Sequence, residues 1–471
     1  LAYYYGTRTY DYWKLKGIPY VKPKFPFFGN SLVAAFSLMP SHIYQQEIYD
    51  FFKGHRFGGI FRFTKPALFL RDPSLIESVM IKDFTSFYNR GTGVDINLDP
   101  LSAHLFHLED KQWKSLRQKL TPTFSSGKLK GMHQQLVDCS DALVNYISHY
   151  MECSEPFEVR DVMAKFSTDV IGSCAFGLNT NSLNYTDSEF RKMGRKVFQV
   201  DFLKKLRIVV RGHYPWLVKI LGWRTLDAST ENFFISTIKS TISYREKNKV
   251  TRNDFVQLLM EIKKQESEKK KDGHETDDLI IDDKIITANA FVFFVAGFET
   301  TASTLSYCLY ELSVHQDIQE QAYQHVVSVL KNHGGEVTYE AVKDMTYINQ
   351  IFAETLRMHP PLPQLMRVVT KDYTVPGTSL MLPKNSSVTI PIYSLHFDPE
   401  YFPEPEKFKP ERFDEEKENI RKGTYMPFGD GPRICIGKRF AEMEMQIALA
   451  KLLLKYKFTL NPKTISPLVY E

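Results

Sequence analysis

A single cysteine, Cys435, lies in the run Phe428-Gly429-Asp430-Gly431-Pro432-Arg433-Ile434-Cys435-Ile436-Gly437, which leads straight into a helix-forming stretch, Lys438 to Leu454. Glycines let the backbone turn tightly and leave amide N–H groups unshielded, and the following helix presents its positive end to whatever the turn holds. Nearby cations and helix N-termini both lower a thiol's pKa, so a sulfur here is expected as a thiolate, fit for metal ligation or nucleophilic attack. The local physics specifies an activated cysteine and does not say for what.

A second pattern also carries chemistry. Thr287 to Val314 is apolar over much of its length, with small Ala296 and Gly297 and polar Glu299 and Thr300 in its middle. Small residues let a flat group lie against a helix, and a hydroxyl beside a carboxylate in apolar surroundings suits proton handling. A threonine bonded to its own helix backbone is the bland alternative. Glu354 and Arg357, at i and i+3, face the same way on a helix.

Phe428, Gly431, Arg433, Cys435 and Gly437 fill every fixed position of Phe-x-x-Gly-x-Arg-x-Cys-x-Gly, and in this the chain resembles the cytochromes P450. Companion motifs follow in family order: Trp113-x-x-x-Arg117, Ala296-Gly297-Phe298-Glu299-Thr300-Thr301, Glu354-Thr355-Leu356-Arg357 and Pro410-Glu411-Arg412-Phe413. The resemblance implies a mostly α fold with minor β, a long central helix over the cofactor and small sheets towards the N-terminal side. It implies haem b with Cys435 as the axial ligand of the iron, whose thiolate push favours O–O cleavage. Phe428 would pack beside the sulfur, and amides just after Cys435 would tune it. The two propionates need cations or donors when buried, and Arg433, Arg117, Trp113, Arg367 and Arg90 are the candidates. Ala296 and Gly297 would lie against the macrocycle. Thr300 would position water, and Glu299 would relay protons from solvent. Glu354, Arg357 and Arg412 read as a buried ion network that locks the cysteine-bearing segment, not as catalytic groups.

By position relative to these motifs, Val94, Ile96, Leu105, Phe106, Phe291, Phe294, Val295, Ala296, Leu362, Leu365 and Met366 are expected to line the distal pocket, and an apolar lining of this kind predicts lipophilic substrates held by burial. Thr121 to Lys128, Ile171 to Gly177 and Ser394 to Pro399 are similar to the sixth P450 family of insects, with the vertebrate third family more distant. That family is associated with detoxifying plant allelochemicals and insecticides. The resemblance further implies electrons from NADPH through the flavins of cytochrome P450 reductase, with cytochrome b5 as an additional partner.

The elements that must position these residues occupy a chain of 471 residues, 43% hydrophobic and 14% aromatic, ample for a large core. Strand-like alternation in Gly59–Thr64 and Ala67–Leu70 around Lys65-Pro66 predicts a hairpin. Helical patterns recur at 73–82, 111–121, 129–151, 160–175, 188–201, 229–247, 253–265, 283–315, 317–331 and 345–358, and Lys263 to Asp278 reads as a solvated connection. Residues 31–471 read as one haem-thiolate domain, with the roof-forming C-terminal hairpin cut short, and 1–30 as a post-anchor segment with a basic, proline-rich hinge. No window of about 18 consecutive apolar residues is present. The aromatic start looks like the end of a membrane anchor, which places the protein on the cytosolic face of the endoplasmic reticulum membrane, and Val200 to Trp223 would touch that membrane.

A net charge of +5 is too weak to argue for nucleic acid. Lys111, Lys114, Arg117 and Lys119, with Lys438 and Arg439, suggest a docking face for an acidic electron donor, against the plainer reading of a solvated surface. Five cysteines without a C-x-x-C pair argue against a disulfide framework and zinc. Alternatives to the monooxygenase are a haem-thiolate isomerase or dehydratase, which Glu299 and Thr300 argue against, a hydroxylase of endogenous lipid or hormone, and a haem or lipophile carrier.

Overall fold

The computed structural model describes residues 1–471 except 154, 186–187, 200, 272–278, 415–419 and 469–471. The longer helices are α1 (Ser41–Phe51), α2 (Asp110–Leu120), α3 (Ser126–Cys153), α4 (Val159–Ile171), α5 (Glu189–Phe198), α6 (Phe202–His213), α7 (Pro215–Ile220), α8 (Ala228–Asn248), α9 (Phe255–Lys271), α10 (Asp283–Val314), α11 (Gln316–Asn332), α12 (Thr346–Met358) and α13 (Lys438–Lys455). Several of them, α4, α5, α6, α8 and α10, start at side-chain caps. Asp282 accepts from the Ile285 amide at 2.8 Å to begin α10, and Asp201 and Asp227 do the same for α6 and α8. The expected connection from Lys263 is helical as far as Lys271, within α9. Residues 272–278 of that expectation lie outside the described ones.

Strands β1 (Phe57–Arg62), β2 (Lys65–Leu70), β3 (Leu365–Val368) and β6 (Ser387–Ile390) form one sheet in the order β1-β2-β6-β3, and β4 (Tyr373–Thr374) pairs with β5 (Met381–Leu382). The hairpin turn falls at Phe63-Thr64, since Arg62 pairs with Lys65. The expected turn at Lys65-Pro66 is thus corrected. Pro66 is accommodated because the β6 ladder on the far side of β2 starts only at Ala67.

Two hydrophobic clusters organise the chain. The large one gathers the inner faces of α3, α4 and α8 to α13. α10 runs through it and lies closely along α4, where Gly297 leaves no room for a side chain beside Ile171. By length and composition α10 could cross a membrane, but 61% of its most apolar window is buried inside the protein. The smaller cluster joins the sheet to the N-terminal segment. Trp13 lies flat on Gly59 and donates its indole N–H to the Ile60 carbonyl at 3.0 Å, and Tyr20 and Gly29 bridge to β1. The segment expected to be a hinge is therefore docked over much of its length.

His396 joins α12 to the segment before Cys435. Its Nε2 accepts from the Met426 amide at 3.2 Å, so Nδ1 carries the proton and donates to the Arg357 carbonyl at 3.1 Å. Burial, chiefly, holds its pKa down at about 3 against an ordinary 6.5. The unfolded chain therefore takes the proton first, and stability present above pH 6.5 is lost as pH falls through that value towards 3. Denaturant midpoints followed from about pH 6 to about pH 4.5 are expected to fall, and His396→Asn, which keeps a donor and an acceptor, to reduce the slope by ~1.4 kcal/mol per pH unit. An unchanged slope would remove His396 from this account.

Candidate active site

The Cys435 loop is built by short local bonds. Asp430 caps a single 3-10 turn, Gly431–Arg433, by accepting the Gly431 amide at 2.7 Å, and the Cys435 amide donates back to the Phe428 carbonyl at 2.9 Å. Gly429 and Gly431 have φ of 74° and 65°, and a Cβ on Gly431 would collide with the Met80 carbonyl. Gly437, with φ −87°, starts α13. It matters as a donor, because its amide hydrogen-bonds the sulfur.

Burial pushes the Cys435 thiol up, and the Gly437 amide, Arg117 and Arg90 only partly offset it. The expectation that the loop alone yields a thiolate is corrected. Desolvation outweighs the turn and helix, and a bound cation is what would complete deprotonation. The side chain nevertheless presents accessible surface although it is deep in the protein, so it borders an internal space.

Arg90, Arg117, Arg367 and Arg433 converge here from the segment before α2, from α2, from β3 and from the Cys435 loop. Desolvation, with mutual repulsion for Arg90 and Arg433, lowers Arg433 to about 8, Arg90 to about 9 and Arg367 to about 10, and burial also lowers Arg117. Among the described residues none of the four meets a carboxylate within ion-pair distance. Arg117 donates to the Ile434 carbonyl at 2.8 Å. Arg433 donates to the carbonyls of Tyr88 (2.8 Å) and Leu108 (2.9 Å) and stands 4.1 Å above the Trp113 ring. Arg367, 1% exposed, donates to its neighbour's carbonyl at 2.8 Å and, among the described residues, leaves a buried Nε unpartnered. Uncompensated buried cations are costly, and this set fits a dianionic group beside the sulfur.

Glu354 is the hub of the network behind the loop. Its carboxylate accepts from Arg357 at 2.7 and 2.8 Å, from Arg412 Nε at 3.0 Å and from the Lys409 amide at 2.9 Å. Arg357 also donates to the His396 carbonyl and Arg412 to that of Pro403, at 2.9 and 3.1 Å. All three charged side chains are buried.

On α10, Ala296 and Thr300 present accessible surface one turn apart on the same face, and the Thr300 hydroxyl donates to the Ala296 carbonyl at 2.6 Å. Glu299 is held by Arg160 of α4 at 2.7 Å and accepts from Ser303 at 3.3 Å. Arg160 was not anticipated, and no sequence signal ties it to a residue 139 positions away. Leu105 is buried, Phe106 is 40% exposed beneath the Arg90 guanidinium, and Val94, Ile96, Val295, Leu365 and Met366 are half-buried, with Leu362 49% exposed. Phe291 and Phe294 require correction. Both are buried in an aromatic cluster, Phe291 against Phe234 and Phe294 against Phe176, Phe190, Phe234 and Phe298, away from the Ala296 and Thr300 face. Within the basic patch Lys111, Lys114, Lys438 and Arg439 are exposed, whereas Lys119 pairs with Glu266 and Arg117 points inwards.

A helical fold that surrounds one inward-facing cysteine with buried, unpaired guanidiniums, and runs a long helix with an acid-alcohol pair through its core, defines a haem-thiolate protein. The chain belongs to the cytochrome P450 family, whose model matches residues 19–471. It is 41% identical over its full length to the probable cytochrome P450 6a14 of Drosophila melanogaster, covering 94% of that protein. Identity is 39% to cytochrome P450 6a2 of the same fly, with 100% and 94% of the two chains covered, and 38% to cytochrome P450 6k1 of Blattella germanica, with 100% and 91% covered. These are insect members of the sixth P450 family, and the chain is a monooxygenase with haem held by cysteine thiolate.

Glu354→Ala would strand two buried guanidiniums, at a cost of about 3–5 kcal/mol. The expected outcome is loss of haem retention on gel filtration along with a lowered melting midpoint. Full haem retention at unchanged midpoint would contradict the network's role.

Proposed function

We propose that this chain inserts one atom of oxygen into lipophilic small molecules, with electrons drawn from NADPH through cytochrome P450 reductase and cytochrome b5 as an additional partner, and that its substrates include plant allelochemicals and insecticides. The observation that carries the reading is the set of buried arginines without carboxylate partners around Cys435. We assign the iron to Cys435 and the propionates to Arg90, Trp113, Arg117, Arg367 and Arg433. Haem bound through a thiolate supplies the electron-rich iron at which oxygen is activated.

The chain's own residues then have distinct tasks. The Gly437 amide donates to the sulfur and tempers its charge. Phe428 borders the loop, and its carbonyl anchors the Cys435 amide. Thr300 trades its bond to the Ala296 carbonyl for one to a water on the open face, and Glu299, steadied by exposed Arg160 at the start of α4, passes protons inwards from solvent. The balance is two electrons and two protons per oxygen molecule: one oxygen atom enters a C–H bond and the other leaves as water. Leu105, Phe106, Val94, Ile96, Val295, Leu365, Met366 and Leu362 form the apolar wall. Residues 31–471 act as a single domain. Exposed Leu203, Trp216, Ile220 and Leu221 on and beside α6 and α7 support contact with a membrane, which we take to be that of the endoplasmic reticulum on its cytosolic side.

The reduced carbon monoxide difference spectrum is expected to show a long-wavelength Soret band that Cys435→Ala abolishes, and turnover of an apolar substrate is expected to require both NADPH and reductase. Turnover without reductase would favour the isomerase or dehydratase reading, and bound haem without that band would defeat the thiolate assignment. Thr300→Ala is expected to leave the band intact and to lower product formed per NADPH consumed about tenfold, and unchanged coupling would return Thr300 to a structural role.

A further inference from the structure

Asn289 is a lone carboxamide on α10, fully buried. It stands seven residues before Ala296, two turns up the same face and so about 10 Å along the axis. Its Nδ2 donates to the Ile285 carbonyl at 2.8 Å, within the helix. Its Oδ1 reaches across to a different element and accepts the Leu105 amide at 3.2 Å.

The loop it holds is tied on its other side as well. Arg433, from the Cys435 loop, donates to the Leu105 carbonyl at 3.5 Å and the Leu108 carbonyl at 2.9 Å, and Arg90 donates to the Phe106 carbonyl at 3.1 Å. The stacked rings of His104 and His107, 4.4 Å apart, stiffen the turn between. With its backbone fixed on both sides, the loop turns outward one large apolar side chain. Phe106 is 40% exposed between buried Leu105 and half-buried His107, with Arg90 over one face of its ring. Arg433 and Arg90 fix the loop relative to the sulfur. Asn289 ties it by a side-chain hydrogen bond to the helix that carries Thr300, on which the preceding turn also packs.

We propose that Asn289 is a specificity-determining positioning residue, which by accepting the Leu105 amide sets the height of Phe106 over the Ala296 and Thr300 face and so selects which aromatic or planar apolar groups fit beneath it. The assignment rests on the monooxygenase reading of the same site. A buried carboxamide suits this task because its donor and acceptor are separate atoms on a longer side chain than a hydroxyl's, so Nδ2 satisfies the helix carbonyl while Oδ1 reaches the loop amide and neither is left orphaned. A protonated aspartic acid reproduces the pattern, with O–H in place of N–H, whereas leucine, of similar size, offers neither group.

The test uses the haem-loaded protein and two probes, imidazole and 4-phenylimidazole, whose binding is read by difference spectroscopy, together with amide hydrogen exchange over residues 103–108. Asn289→Leu is expected to speed exchange at Leu105 at least tenfold and to change the preference for 4-phenylimidazole over imidazole at least fivefold, leaving imidazole itself within twofold. Asn289→Asp is expected to stay within twofold of the parent in both readouts. Should the leucine variant fail to fold, Asn289→Ala takes its place. In a Phe106→Ala background, Asn289 substitutions are expected to leave the preference unchanged, because the effect runs through that ring. Unchanged Leu105 exchange, an unchanged preference, or equal loss of both azoles overturns the assignment. A parent that binds neither azole would sink the haem reading and this assignment together, an outcome visible without any variant.

Discussion

Charge without a partner organises this molecule. Four guanidiniums, from the segment before α2, from α2, from β3 and from the Cys435 loop, are brought together in the interior, where a single unpaired cation already carries a large desolvation cost. A chain does not bury such a set unless something anionic completes it. The elements that deliver the arginines are also those that shape the surrounding space, so the sheet, the loop and the helices are committed to one arrangement by electrostatics as much as by packing.

A second buried network, in contrast, is closed. Glu354, Arg357 and Arg412 satisfy one another and the carbonyls of His396 and Pro403, and His396 passes the connection on to Met426. A hydrogen-bonded cluster of this sort, one carboxylate shared by two guanidiniums that also donate to backbone carbonyls, adds little net stability over an apolar one but defines a single geometry. Its position behind the Cys435 segment complements the tethers on the other side, where Arg433, Arg117 and Arg90 tie the loop through backbone carbonyls.

Legibility in the sequence followed distance along the chain. Cys435 with its glycines, and Glu354 with Arg357, were readable because the residues that act together are neighbours in sequence. The periodic helices and the first strand pair were readable for the same reason, while the turn was displaced to Lys65-Pro66 because proline is a turn signal even where it opens a strand. Arg160 beside Glu299 and Asn289 beside Leu105 were not readable, since those contacts join residues more than a hundred positions apart. Phe291 and Phe294 were misassigned because α10 carries aromatic residues around its circumference, and periodicity does not say which side faces protein and which faces the open space. The thiol was misjudged because cations and amides are visible in a sequence, whereas desolvation is not.

Arg433 is one side chain with two obligations, to the Cys435 loop that carries it and to the carbonyls of Leu105 and Leu108. The bonds it makes are to backbone, so they are indifferent to which side chains occupy positions 104 to 108. Phe106, exposed between buried Leu105 and the stacked histidines, is therefore the side chain that can be exchanged by single substitution, while insertions or deletions in the same stretch would shift the carbonyls and disturb the haem site. The architecture separates what can vary from what must stay, and directs diversification into replacement rather than remodelling.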